Sequence, residues 1–175
     1  PVCGGFGAEA RQWLHALARQ GIGVWQVLPL APTDGTGSPY SSPSSFAINP
    51  WLLSAQDLVD QGYLPASCLP QLPGAAAGIG RLECQLADQR AEAIAAALQQ
   101  AWAEQSAERH KAFARWCGQQ AYWLEDHVCY VELRRQFEGL PGWEWPQPLA
   151  HHRRRALNAW KAEHRQALEA QRLLQ

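Results

Sequence analysis

A stretch with no helical or strand period, residues 31–50, limits most strongly what this chain can fold into. Its sequence, APTDGTGSPYSSPSSFAINP, contains four prolines and five serines, which predicts a long loop with a restricted backbone. Directly before it, residues 23–30 (GVWQVLPL) form a short apolar run that is typical of a strand buried on both faces. Compact domains rarely keep a structureless loop of this length unless it carries a function.

The rest of the sequence predicts helices. The first is predicted over Gly7 to Gln20, where Ala10, Trp13 and Leu17 fall on one apolar stripe. Further helical patterns occupy residues 57–61, 85–105, 107–137 and 151–175, with Ser106 as an N-cap and Gly118 as a break; residues 63–80 predict an irregular connection. A single strand leaves its hydrogen-bonding groups unpaired, so the start of the chain resembles one α/β unit of a larger parallel sheet or barrel.

Composition excludes several classes of protein. The 175 residues include 15 basic and 16 acidic side chains, so bulk attraction to nucleic acid or to an anionic membrane is not expected. No apolar run approaches the length of a membrane-spanning helix, and no secretory signal is visible. Five cysteines without a CxxC pair favour a reducing, cytoplasmic location. The chain contains no methionine, which predicts an internal or truncated piece of a longer protein.

The loop after Leu30 is the predicted binding region, because ligands of parallel α/β folds lie at the C-terminal ends of strands. Ser38-Pro39-Tyr40 offers a hydroxyl and an aromatic ring on a stiff turn, and Asn49 closes the loop with an amide. Rings and short polar groups of this kind suit a sugar. Spacing alone favours a plainer alternative, in which the loop is a rigid connection and Tyr40 is a packing residue.

Catalytic and metal-binding groups are not evident in this sequence. Nearly all the acidic residues lie in predicted helices, and the single carboxylate of the loop, Asp34, is typical of a turn former. His151 and His152 are adjacent and do not face one ion from a helix, and Cys117 and Cys129 have no ligand-type neighbours. We therefore expect no catalytic residue, no metal and no cofactor in this chain.

Several of these segments together resemble a known family. The motifs are Trp25 to Leu30 (WQVLPL), Pro32-Thr33, Ser38-Pro39-Tyr40, Phe46 and Asn49-Pro50. They are similar to the early part of the amylomaltases, the 4-alpha-glucanotransferases of glycoside hydrolase family 77. Weaker similarity continues through WLED at residues 123–126, through the turn between Trp143 and Pro146, and into the helix near residue 156.

The resemblance implies a fold and a division into domains. It predicts an α/β protein, a partial (β/α)8 TIM barrel with a large inserted helical subdomain. Residues 1–52 would begin the catalytic barrel, residues 53–150 would form the insert, and residues 151–175 would lead back to the barrel. The family's first strand would precede Pro1.

The resemblance also implies a function. The family transfers α-1,4-glucan segments between maltodextrins with retention, using three carboxylates that would lie beyond position 175. This chain would contribute donor-site contacts, would be inactive alone, and would have an α-1,4-glucan such as a maltodextrin as its partner. Its oligomeric state is not implied. The alternatives left open are a non-catalytic helical carbohydrate-binding module and a protein-interaction module that uses the basic residues 151–155.

The resemblance assigns roles to three residues of the loop. Tyr40 matches a tyrosine that stacks on the donor sugar, Ser38 matches a serine that contacts the glucan, and Asn49 matches an asparagine that closes the loop. The chain departs from the family where Gly35 replaces a tyrosine of a secondary glucan contact, and where residues 82–84 (LEC) replace an aromatic-containing stretch. These departures put the accessory glucan contact in doubt.

Overall fold

The regular elements in the computed structural model, which describes residues 4–73 and 83–175, are all helices. The α-helices are α1 (Ala8–Arg19), α2 (Ala55–Asp60), α3 (Cys84–Trp102), α4 (Ala107–Gln136), α5 (Gln147–Ala150), α6 (Arg154–Glu163) and α7 (Arg165–Leu174). Short 3₁₀ turns occupy Pro50–Leu52, Ala66–Gln71 and Gly142–Glu144. Part of the predicted irregular connection over 63–80, together with Leu82 and Cys3, lies outside the described residues.

The predicted strand over residues 23–30 does not form. The expected α/β fold, a partial (β/α)8 barrel with a helical insert, is therefore wrong: the described chain is helical, without strand or sheet. A strand needs a neighbouring strand to accept and donate its backbone hydrogen bonds, and no segment of 4–73 or 83–175 provides one. Instead of lying in a core, Val24 is 84% exposed and Leu28 is 57% exposed.

The first helix confirms its prediction closely. The helix α1 is flanked by Gly7 as N-cap and Gln20 as C-cap, and Gly21 follows with a φ of +75°, a left-handed conformation that glycine adopts without strain. The guanidinium of Arg11 binds both carboxylate oxygens of Asp57, with 2.9 Å from Nη2 to Oδ1. This ion pair connects α1 to α2.

The helix α3 carries the apolar core of its part of the chain. Its predicted span, 85–105, is confirmed apart from the last turn. Its buried residues are Ala87, Ala91, Ile94, Ala95 and Leu98, with Ala87 and Ile94 each 1% exposed. The indole Nε1 of Trp51 donates to Asp88 Oδ1 at 2.8 Å. This bond fixes the 3₁₀ turn Pro50–Leu52 against α3, directly after the predicted binding loop.

The helix α4 runs unbroken over 30 residues, so the predicted break at Gly118 is wrong. Its start is as predicted, because Ser106 Oγ accepts from Arg109 N at 3.3 Å. A Cβ built at Gly118 meets no atom within 4 Å, so a larger side chain would fit there without a steric clash. One glycine in a long helix lowers its stability without ending it.

The predicted last helix, 151–175, is divided into two. It begins as α6 and restarts as α7 after His164, whose Nδ1 lies 2.9 Å from Trp160 O. The imidazole also stacks on the Trp160 indole, with ring centroids 4.4 Å apart. Backbone hydrogen bonds from His164 N to Trp160 O and from Leu168 N to His164 O, each 3.0 Å long, continue across the division.

The chain divides into two compact units, residues 1–105 with 174–175, and residues 106–173. The second unit has its own core, formed by apolar side chains of α4, α6, α7 and the turn before α5: Leu124, Val128, Cys129, Leu133, Trp145, Trp160 and Leu168. Each buried indole N–H finds an acceptor, Trp145 on Leu140 O at 3.0 Å and Trp160 on Gln136 Oε1 at 2.7 Å.

The predicted domain boundaries at 52/53 and 150/151 stay a prediction. None of the described helices combines the length and apolar character needed to span a bilayer.

Candidate functional site

The loop of residues 31–48 is closed at its base by one backbone hydrogen bond. Asn49 N donates to Leu30 O at 3.0 Å, which brings together the two ends of the segment. The Asn49 side chain is 7% exposed, and its Oδ1 accepts from Trp51 N at 3.0 Å. Asn49 therefore both closes the loop and caps the 3₁₀ turn that follows.

Serine hydroxyls hold the second half of the loop in shape. Ser42 Oγ donates to Ser44 O at 2.7 Å, while Ser44 Oγ accepts from Phe46 N at 3.2 Å and from Ala47 N at 3.1 Å. These short-range bonds satisfy backbone groups that no helix or sheet pairs. The serine-rich composition thus gives the loop a defined conformation.

Asp34 forms a turn in the first half of the loop. Its Oδ1 accepts from Thr36 N at 2.9 Å and from Thr36 Oγ1, and its backbone carbonyl accepts from Gly37 N at 3.0 Å. Gly37 has a φ of +75°, which a side chain at this position would strain. The geometry agrees with the turn-forming role predicted for this carboxylate.

The loop encloses an open cavity of about 570 Å³ on one side. It is lined by Leu30, by Tyr40 and Phe46, and by the hydroxyl side chains of Ser42 and Ser45, among others. Both aromatic side chains are largely exposed, Tyr40 by 75% and Phe46 by 59%. Two exposed rings beside a row of hydroxyls can contact the apolar face and the hydroxyl groups of a sugar.

The three predicted site residues take different positions. Tyr40 lines the cavity, whereas Ser38 and Asn49 do not. Ser38 Oγ accepts from Tyr40 N at 3.4 Å, so this hydroxyl shapes the turn that presents the ring. The glucan contacts of Tyr40, Ser38 and Asn49 stay predictions.

Two contributors to this region were not predicted as site residues. Phe46 is the second aromatic side chain of the cavity, and its place in an otherwise polar loop was the available signal. Gln175 binds the loop from the far end of the chain: its Oε1 accepts from Ile48 N at 2.9 Å and its Nε2 donates to Ile48 O at 3.2 Å. A contact between residues 127 positions apart leaves no local pattern in the sequence.

The described lining of the loop cavity is electrically neutral. Among the described residues its lining contains no charged side chain and no histidine. The ionisable groups with shifted pKa lie elsewhere; on α4, for example, a hydrogen bond from Arg172 lowers the pKa of the Glu125 carboxyl. Within 4–73 and 83–175, no cluster of three or more histidine, cysteine or acidic side chains could hold a metal ion.

Comparison with known proteins places this chain in a family of glucan-transferring enzymes. The 4-alpha-glucanotransferase family, glycoside hydrolase family 77, matches residues 2–175, and the chain belongs to that family. It is 36% identical to a 4-alpha-glucanotransferase of Thermus thermophilus over 91% of this chain, and 34% identical to one of a Synechocystis strain over 90%. An enzyme of the same name from Aquifex aeolicus is 30% identical over 88% of the chain. The matched part is 31%, 31% and 30% of these relatives, so the chain spans about a third of their length.

Proposed function

We propose that this chain is the donor-binding part of a 4-alpha-glucanotransferase that moves α-1,4-glucan segments between maltodextrins. The observation that carries the proposal is the loop cavity, in which Tyr40 and Phe46 stand exposed beside serine hydroxyls. Family membership supports the reaction, and the neutral lining of the cavity suits an uncharged glucan. The catalytic groups belong to a part of the enzyme that this chain does not include.

The proposed reaction is a retaining transfer. The bond between C1 of the donor segment and the bridging oxygen breaks, a carboxylic acid protonates that oxygen, and C1 forms a bond to a carboxylate nucleophile. The 4-hydroxyl of a second glucan then attacks C1, gives its proton to the former acid, and releases the nucleophile. Tyr40 would hold the donor ring by stacking while its C1 reacts, which is a binding and positioning contribution.

A maltotriose incubation tests the reaction. The full-length protein, meaning this chain continued to the length of its relatives, should convert maltotriose to glucose and maltopentaose, because transfer conserves the number of glycosidic bonds. The 175-residue chain alone should produce neither. An increase in total reducing ends by the full-length protein would show hydrolysis and contradict the proposed transfer. Product formation by the short chain would contradict the assignment of the carboxylates to another part.

We also propose a reducing cytoplasmic location. The four described cysteines, Cys68, Cys84, Cys117 and Cys129, are free thiols. Burial raises the pKa of the Cys129 thiol, which keeps it protonated and unreactive. Thiols of this kind persist where glutathione and thioredoxin keep cysteines reduced.

A further inference from the structure

A second cavity in the same unit shares no lining residue with the loop cavity. It has a volume of about 550 Å³ and lies between residues 62–71, which follow α2, and residues 97–105, at the end of α3. Pockets that bind small molecules have volumes of roughly 300–1,000 Å³. The cavity is therefore large enough for more than a water cluster.

The two walls of this cavity are connected by a hydrogen bond. Gly62 has a φ of +73°, and Tyr63 N donates to Leu58 O at 2.8 Å, so the chain turns sharply out of α2. Gln105 Nε2 donates to Gly62 O at 3.2 Å, and both residues line the cavity, so this bond connects its two walls.

The lining chemistry selects a class of ligand. Polar side chains with neutral amide and hydroxyl groups alternate with small apolar ones, and they include Tyr63, Ser67, Gln71 and Gln100. The one ionisable carboxylate is Glu104, and the described lining contains no lysine, arginine or histidine. A phosphorylated or carboxylated ligand would therefore meet no cation. Amides and hydroxyls both donate and accept, as the hydroxyls of a sugar require.

We propose that this cavity is a second, non-catalytic binding site for a neutral α-1,4-linked glucose oligosaccharide. The proposal rests on the proposed function, which makes a glucan the substrate. A glucan polymer is long enough to occupy a site apart from the one where it reacts. A segment bound here would raise the local concentration of the rest of the same polymer. The site would therefore favour long glucans over maltotriose.

Cys68 lines the cavity and provides a built-in probe of its occupancy. Trypsin cleavage leaves Cys68 as the single cysteine of peptide 20–81 and Cys84 as that of peptide 82–90. We would alkylate the full-length protein with iodoacetamide, with and without maltoheptaose, and follow both peptides by mass spectrometry. Saturating maltoheptaose should slow the alkylation of Cys68 by about fivefold or more and leave Cys84, which does not line the cavity, unchanged. The proposed transfer converts part of the maltoheptaose to other α-1,4-glucans during the assay. These products belong to the same class of ligand, so α-1,4-glucan remains present throughout.

Matched variants locate the protection. Ala101→Trp fills the cavity and should abolish the protection of Cys68 by maltoheptaose. Ala96→Trp adds the same bulk to an exposed position of α3 and should leave that protection unchanged. If Ala101→Trp fails to fold, Gln100→Ala is the second variant: it removes one lining amide without adding bulk, and it should raise the maltoheptaose concentration needed for half-protection. Unchanged protection in a folded Ala101→Trp would overturn the proposal, and so, if that variant does not fold, would an unchanged half-protection concentration in Gln100→Ala.

Two further outcomes separate this proposal from the proposed function. Protection of Cys68 should persist in Tyr40→Ala, because Tyr40 does not line this cavity; its loss there would assign the effect to the loop and overturn the second site. Cellopentaose, which has β-1,4 linkages, should protect weakly, and protection equal to that by maltoheptaose would overturn the assignment to α-1,4-glucans. A failed maltotriose transfer with intact Cys68 protection would contradict the proposed reaction while supporting this site.

Discussion

Thr33 carries a buried hydroxyl near the start of the loop of residues 31–48. Its Oγ1 has no hydrogen-bond partner among the described residues, whereas the hydroxyl of nearby Thr36 donates to Asp34. A buried polar group without a partner destabilises the folded state, and a paired one stabilises it modestly. Two threonines in one loop thus have opposite expected contributions to stability.

Replacing Thr33 by valine should stabilise the chain. The substitution keeps the shape of the side chain and removes the unpaired hydroxyl, so we expect the free energy of unfolding to rise by about 1 kcal/mol. Urea denaturation followed by tryptophan fluorescence measures it. The matched control, Thr36→Val, loses a hydrogen bond and should lower the same quantity by about 1 kcal/mol. A lower stability of Thr33→Val would show that the hydroxyl has a partner in the folded protein.

Loop residues were predictable from sequence where their chemistry is local. Asp34 beside Thr36, the hydroxyl of Ser38 before Tyr40, and the amide of Asn49 before Trp51 act over two positions, so residue type and spacing were sufficient to propose a rigid turn. The bonds between Gln175 and Ile48 depend on the tertiary fold, and no local pattern announced them.

At the scale of elements, the helices were predictable because their apolar residues repeat with helical spacing. The strand prediction failed. Residues 23–30 are apolar and β-branched, which is typical of a strand, but a strand also requires a neighbouring strand, which a local pattern does not reveal. Gly118 misled in a similar way: glycine weakens a helix by a small amount, and the buried side chains of the surrounding 30-residue helix outweigh that cost.

Gly118→Ala should stabilise α4. Gly118 is exposed and helical, and an added Cβ meets nothing within 4 Å, so alanine should raise the free energy of unfolding by about 1 kcal/mol. Thermal unfolding followed by circular dichroism checks this. Gly139→Ala is the control, because Gly139 has a φ of +82° and alanine there should lower the melting temperature. A decrease in stability for Gly118→Ala would contradict a continuous α4 and support the helix break that the sequence predicted at Gly118.

The ion pair between Glu125 of α4 and Arg172 of α7 should make stability depend on pH. A hydrogen bond from the guanidinium, at 2.8 Å to each carboxylate oxygen, lowers the pKa of Glu125 in the folded state. The stabilisation is therefore complete above the ordinary pKa of a glutamate, and it disappears as the pH falls through the lower folded pKa. Because both side chains are partly exposed, we expect a modest effect.

Urea titrations between pH 6 and pH 3 test this dependence. The free energy of unfolding should fall with decreasing pH less steeply in Glu125→Gln than in the unmodified chain. Asp126→Asn removes a neighbouring exposed carboxylate and should leave the steeper fall in place. Identical pH profiles for Glu125→Gln and the unmodified chain would show that the pair contributes nothing to folding.

At the scale of the whole molecule, sequence motifs were a better guide to family than to fold. The motifs around Trp25 and Tyr40 led to the 4-alpha-glucanotransferases, and the match over residues 2–175 confirmed that membership. The α/β architecture expected from the same motifs is absent from the described chain, which is helical. Short motifs record the chemistry of a loop, whereas a sheet depends on pairing among segments that are distant in sequence.

The most direct test of a glucan-binding loop is the transfer rate of the full-length protein carrying Tyr40→Ala. Tyr40→Ala removes the ring proposed to stack on the donor sugar, so kcat/KM for maltotriose should fall by about tenfold or more. A tenfold fall corresponds to about 1.4 kcal/mol of lost transition-state stabilisation. Tyr122→Ala removes a comparably exposed tyrosine from α4 and should leave the rate unchanged. An unchanged kcat/KM in Tyr40→Ala, measured beside that control, would contradict the assignment of this loop to donor binding.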